Sequence, residues 1–157
     1  MRETLKMWAE RYPLGGKAIV HDGLDLNPDF QRAHVWTRDQ QIKYVEYILK
    51  GGASGRDIYF NNPSWSGTYA EKTVLVDGKQ RLEAAFQFLD NKIPAFGHLY
   101  SEWTGAIPFD CYFIFYVNQL KTRAEVLEWY LDINTGGTPH SEDEINRVKE
   151  LLKKEKK

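Results

Sequence analysis

The chain has 157 residues, 42% hydrophobic and 27% charged, a globular composition that predicts one domain over 1–157 at about 100–200 residues per domain. The net charge is −1, and the last ten residues carry five Lys and two Glu, so the body before them stands at −4 and is ill suited to gripping long stretches of phosphate backbone. One cysteine, Cys111, excludes an internal disulfide and a cysteine-based zinc site, and no apolar run reaches the ~18 residues of a membrane span.

Met1 to Trp8 hold no long apolar stretch, so no secretory leader is expected and a reducing cytoplasm is the default. Leu5, Trp8, Ala9 and Tyr12 fall at helical spacing before Pro13, and Lys17 to His21 reads as a strand. Residues 22–36 show no period and read as an irregular connection. Thr37 with Gln40 is a capping-box pair opening a helix with Ile42, Val45, Ile48 and Leu49 on its buried stripe, ended by Gly51-Gly52. Asp57 to Asn61 reads as a strand and 62–69 as a loop. Thr73 to Val76, rich in β-branched residues, predicts a central strand, followed directly by a helix burying Leu82, Ala85, Phe86 and Leu89.

Beyond the Asp90-Asn91 turn, Ile93 to Phe96 reads as an edge strand because of Pro94, and 97–110 as a surface excursion. Tyr112 to Val117, apolar at nearly every position, predicts a buried strand. Thr122 with Glu125 opens another helix, stopped at Asn134-Thr135-Gly136-Gly137. Ser141 with Glu144 opens a Lys-rich terminal helix over 141–157, its acids first and its lysines last, matching the helix dipole. Four or five strands mixed with four or five helices in irregular order predict an α+β fold.

The segment richest in chemistry is Val74-Leu75-Val76-Asp77-Gly78-Lys79-Gln80-Arg81: a strand, a glycine turn and the first turn of a helix. Unpaired N–H groups at a helix start attract anions, and Gly78 lets a ligand approach the backbone closely. Lys79 and Arg81 face the positive end of the dipole, at a cost of about 0.3–1 kcal/mol each that an anionic ligand would reverse. Asp77 suits Mg²⁺ or the positioning of a nucleophile. The same residues also read as plain capping, with Asp77 as N-cap and Gln80 as its box partner. Two further clusters stand open in the same way. Gln31 and Arg32 lie between Phe30 and Trp36, as a polar tip on an aromatic anchor or as a pinned loop with a surface ion pair. Asn134 to Thr138 reads as an anion cradle or as a helix stop. High aromatic content (14%) fits a packed core and equally the walls of a base pocket. The histidines His21, His34, His98 and His140 show no metal-ligand spacing, and Cys111 reads as core.

Taken together, Phe30 to Trp36, the Asp-Gly-x-Gln-Arg box at Asp77–Arg81 and Ile133 to Gly137 resemble the N-terminal domain of GmrSD-type restriction endonucleases, in the ParB/sulfiredoxin-like superfamily, over about residues 20–150. The resemblance implies a compact α+β domain with a small mixed sheet flanked by helices, binding and hydrolysing nucleoside triphosphates in restriction of modified DNA. It implies Asp77 as the catalytic or Mg²⁺-linked acid beside Arg81. Gly78, Lys79, Gln80 and Arg81 would hold phosphates, with Gln31 and Arg32 completing the site and Asn134 adding a polar contact. The family box usually has Gln where this chain has Lys79. The His-Asn-His nuclease motif of these enzymes does not occur, so DNA cutting is not expected of this polypeptide alone; a stand-alone copy would suit a phage or mobile element. The expected function is a Mg²⁺-dependent NTP hydrolase or phosphotransferase linked to DNA restriction or modification, whose partners would include DNA or a nuclease subunit. The alternatives are a non-catalytic nucleotide or modified-base binding module and a small ParB-like DNA nuclease.

Overall fold

The computed structural model describes residues 24–33, 35–67, 71–103, 112–135 and 142–156. The first helix and strand expected before residue 22 lie outside these residues, as do His21, His34, Cys111, Gly136, Gly137, His140 and Ser141. Four strands form one mixed sheet: β1 (Leu24–Asp25), β2 (Asp57–Asn61), β3 (Thr73–Asp77) and β4 (Ile114–Asn118), in the order β1-β3-β2-β4. β3 pairs parallel with β1 and antiparallel with β2, and β2 pairs parallel with β4. The helices are α1 (Arg38–Leu49), α2 (Lys79–Leu89), α3 (Arg123–Thr135) and α4 (Glu142–Glu155), with a 3-10 turn at Tyr100–Glu102. The α+β class and the mixed sheet flanked by helices therefore stand as read from the sequence.

Alternation along β3 divides the core. Leu75 joins Ile58 and Phe60 of β2 against Leu82 and Ala85 of α2. Val76 points the other way, into Phe30, Val126, Leu127 and Tyr130, with Val148 of α4 behind them. Val45, Ile48 and Leu49 of α1 pack on Ala84 and Phe88 of α2. Helices thus cover both faces of the sheet, and β3 ends between the layers. The α1 start carries the Thr37–Gln40 box in full, and Gly51 (φ 86°) closes its C-terminus in the left-handed region.

Four expectations need correction. The supposedly irregular 22–36 stretch contains β1, too short to leave a period. Ile93 to Phe96 is not a strand of the sheet: Ala95 and His98 exchange backbone hydrogen bonds across a tight turn in which Phe96 (φ 50°) and Gly97 (φ 80°) are both left-handed. Tyr100 and Trp103, assigned to a surface excursion, pack against the α1–α2 core. The strand in Tyr112 to Val117 exists as β4, but Ile114 and Tyr116 are exposed. Among the described residues β4 pairs with β2 alone and lies at the sheet edge, so its apolar outer side is not buried by a neighbour.

Candidate functional site

The site is built where β3 runs into α2. Asp77 ends the strand, and Gly78 (φ 104°) turns the chain straight into the helix with no linker. The backbone conformation requires glycine, and a Cβ there would stand 2.5 Å from Ile58 Cδ1, so that side chain would also have to shift. Gly78 has no side chain with which to cap this helix, and no acid sits in its first turn. The capping alternative for Asp77 and Gln80 is thereby overturned. The Asp77 carboxylate instead accepts a hydrogen bond from Arg81 Nη2 at 2.6 Å. Gln80, buried at 8% exposure, clamps the neighbouring loop: Oε1 accepts from Val35 N (3.0 Å) and Trp36 N (3.1 Å), and Nε2 donates to the Ala33 carbonyl.

That loop brings the second cluster to the first. Gln31 Nε2 donates to the carbonyls of Leu75 (3.1 Å) and Val76 (2.8 Å), fastening the loop to β3. Lys79 Nζ donates to the Arg32 carbonyl (2.9 Å) and to Asn27 Oδ1. Partial burial lowers the Lys79 pKa below its ordinary value, against the opposing pull of Glu83. From the far side, Arg147 of α4 donates to the carbonyls of Asp29, Phe30 and Gln31 at 2.8–3.1 Å. Arg32 faces Glu144 at 3.9 Å, too long for a hydrogen bond. Arg81 Nη2 also donates to the Asp57 carbonyl at 2.9 Å, while its Nε is buried with no hydrogen-bond partner among the described residues.

Between these groups lies a cavity of about 260 Å³. Gln31, Arg32, Asp77, Gly78, Lys79, Gln80, Arg81 and Asn134, all singled out from sequence, line it together. Trp36, Tyr130 and Ile133 complete its walls. Asn134 comes from the last turn of α3, where its amide donates to the Tyr130 carbonyl at 2.7 Å. Three cationic side chains thus meet one carboxylate around an open helix start, an arrangement that attracts a compact polyanion. Among the described residues no group of three or more metal-ligating acids, histidines or cysteines occurs.

Residues 17–103 match the family described as the GmrSD restriction endonuclease, N-terminal domain. The chain belongs to this family. The match in this GmrSD N-terminal domain contains the Phe30–Trp36 and Asp77–Arg81 segments and stops before Asn134. No curated protein and no solved structure matches the chain. Among the described residues no helix is long and apolar enough to cross a membrane.

Sequence reasoning missed Tyr130, Asn27 and Arg147 as site residues, and gave Ile133 only as the start of the third motif. Tyr130 has a signal in hindsight, since Tyr130, Ile133 and Asn134 share a helix face by i, i+3, i+4 spacing. Arg147 had none, because its three carbonyl partners lie more than a hundred residues away.

Proposed function

We propose that the cleft binds a nucleoside triphosphate and hydrolyses it or transfers its terminal phosphoryl group, in the service of DNA restriction or modification. The observation that carries this reading is the convergence of the Gln31–Arg32 loop, the Asp77–Arg81 turn and Asn134 on one small cationic cavity. The amides at the α2 start and the side chains of Arg32, Lys79 and Arg81 hold phosphate oxygens. Arg81, poised between Asp57 and Asp77, adds positive charge where the transferred phosphoryl group accumulates negative charge. Asp77 orients the attacking water; the terminal P–O bond breaks, and nucleoside diphosphate, phosphate and a proton leave. A lone carboxylate fits Mg²⁺ that arrives with the phosphates, Asp77 supplying one ligand, and the ion would neutralise phosphate charge.

A second reading has its own support. The Asp77 carboxylate is already engaged by Arg81 at 2.6 Å, which suits a module that holds a nucleotide without turning it over. A thermal-shift panel of the four NTPs, with and without Mg²⁺, tests both. At ligand concentrations a hundredfold above Kd the fold gains about 2.7 kcal/mol. Absence of stabilisation by every NTP overturns the nucleotide site. Stabilisation with phosphate release that Asp77→Ala abolishes supports the enzyme; stabilisation without release by the native chain supports the binding module.

A further inference from the structure

The cleft, at about 260 Å³, falls below the roughly 300–1,000 Å³ of pockets that enclose a whole small-molecule ligand. This volume suits a chain of phosphates, and a base attached to them would extend beyond it. Next along the sheet is an aromatic shelf whose inner members, Tyr59 and Trp129, pack on the core around Val76 and Leu127. Tyr59 of β2 and Tyr116 of β4 are in register, their rings stacked at 5.1 Å and 15°. Trp129 of α3 stands edge-on to Tyr59 at 6.1 Å and 84°. Tyr116 remains 46% exposed. Shelf and cleft adjoin, because Tyr59 is the cross-strand partner of Asp77, a wall of the cleft. The β2–β3 register shifts next to this pair, between Tyr59 and Phe60, so Tyr59 and Asp77 are neighbours across a bulge.

We propose that Tyr116, stacked on Tyr59 and backed by Trp129, is the platform on which the base of the bound nucleotide lies. This rests on the nucleotide reading of the cleft. An exposed tyrosine face offers a base its π surface, and any base has one to return. Partial burial, first of all, raises the Tyr59 pKa, with Asp57 adding to it, which favours the uncharged ring at that position.

The test measures binding of the four NTPs and of inorganic tripolyphosphate to the full chain by calorimetry with Mg²⁺ present, for the native protein, Tyr116→Ala and Tyr116→Phe. The native chain should bind at least one NTP more tightly than tripolyphosphate. Tyr116→Ala should weaken that NTP by about 5- to 100-fold while leaving tripolyphosphate unchanged, and Tyr116→Phe should retain native affinity. Unchanged NTP binding in Tyr116→Ala, with tripolyphosphate still bound, overturns the platform and leaves the phosphate site standing. Equal loss of both ligands overturns it in favour of a structural role for Tyr116. Failure of the native chain to bind either ligand overturns platform and nucleotide site together.

Discussion

At the start of α1, Thr37 Oγ1 accepts from Gln40 N and Gln40 Oε1 accepts from Thr37 N, so the helix satisfies its own first turn. At the start of α2 nothing comparable happens. Its cap is a left-handed glycine, its first turn holds two cations and no acid, and its Gln80 turns away to bond the 33–36 loop. α3 follows the first pattern, with Glu125 accepting from the backbone of Lys121 and Thr122. Local capping is readily available to this chain, and α2 does without it. A helix start that faces solvent is best closed by its own residues; one that faces a cationic cavity keeps its amides for something else.

This contrast can be broken by mutation. The largest effect is expected at the open start: Gly78→Ala forces a residue with a Cβ to φ 104° against Ile58. It should lower stability by about 2–4 kcal/mol in urea titrations. A loss below 1 kcal/mol would mean that the turn relaxes easily and that glycine is not demanded there. At the closed start, Thr37→Ala should cost about 1 kcal/mol and leave NTP-induced stabilisation intact. An effect of Thr37→Ala on ligand binding would dissolve the division between the two starts. The smallest effect concerns acid. Backbone and side-chain hydrogen bonds from Thr122 lower the Glu125 pKa below 4.5. Its contribution is therefore complete above the unfolded value and is lost as pH falls through the folded one. Glu125→Gln should melt below the native chain at pH 7, and the two melting curves should converge at strongly acidic pH. A difference that persists there would assign the effect to shape rather than charge.

Sequence alone carried the elements whose signals are local. The Thr37–Gln40 and Thr122–Glu125 boxes, the β2 span and the passage from Val76 through Gly78 into α2 all depend on neighbours within a few residues. Failures came where distant chain decides. Tyr112 to Val117 is apolar at nearly every position, which cannot distinguish a central strand from an edge one; among the described residues the sheet order places it at the edge. Pro94 pointed to an edge strand, whereas Phe96-Gly97 makes a two-residue turn. At the site, residue types at a strand–helix junction exposed Asp77 to Arg81; they also marked the Gln31–Arg32 and Asn134 clusters but left them open, and the family resemblance joined these to the site. That Gln80 would hold a loop, and that Lys79 would reach Asn27 and the Arg32 carbonyl, depends on contacts across some fifty residues that no spacing encodes.

Arg147 has a practical consequence for where this domain can be cut. Residues 17–103 carry the family match, yet the loop bearing Gln31 and Arg32 is tied down by Arg147 through three carbonyls and by Arg123 through the Asp29 carboxylate. One wall of the cavity, at Tyr130, Ile133 and Asn134, also lies past that boundary. A fragment trimmed to the matched interval would keep both signature segments and the Gln31, Lys79 and Gln80 bonds between them, but lose the third wall of the cavity and the outer braces on the Gln31–Arg32 loop.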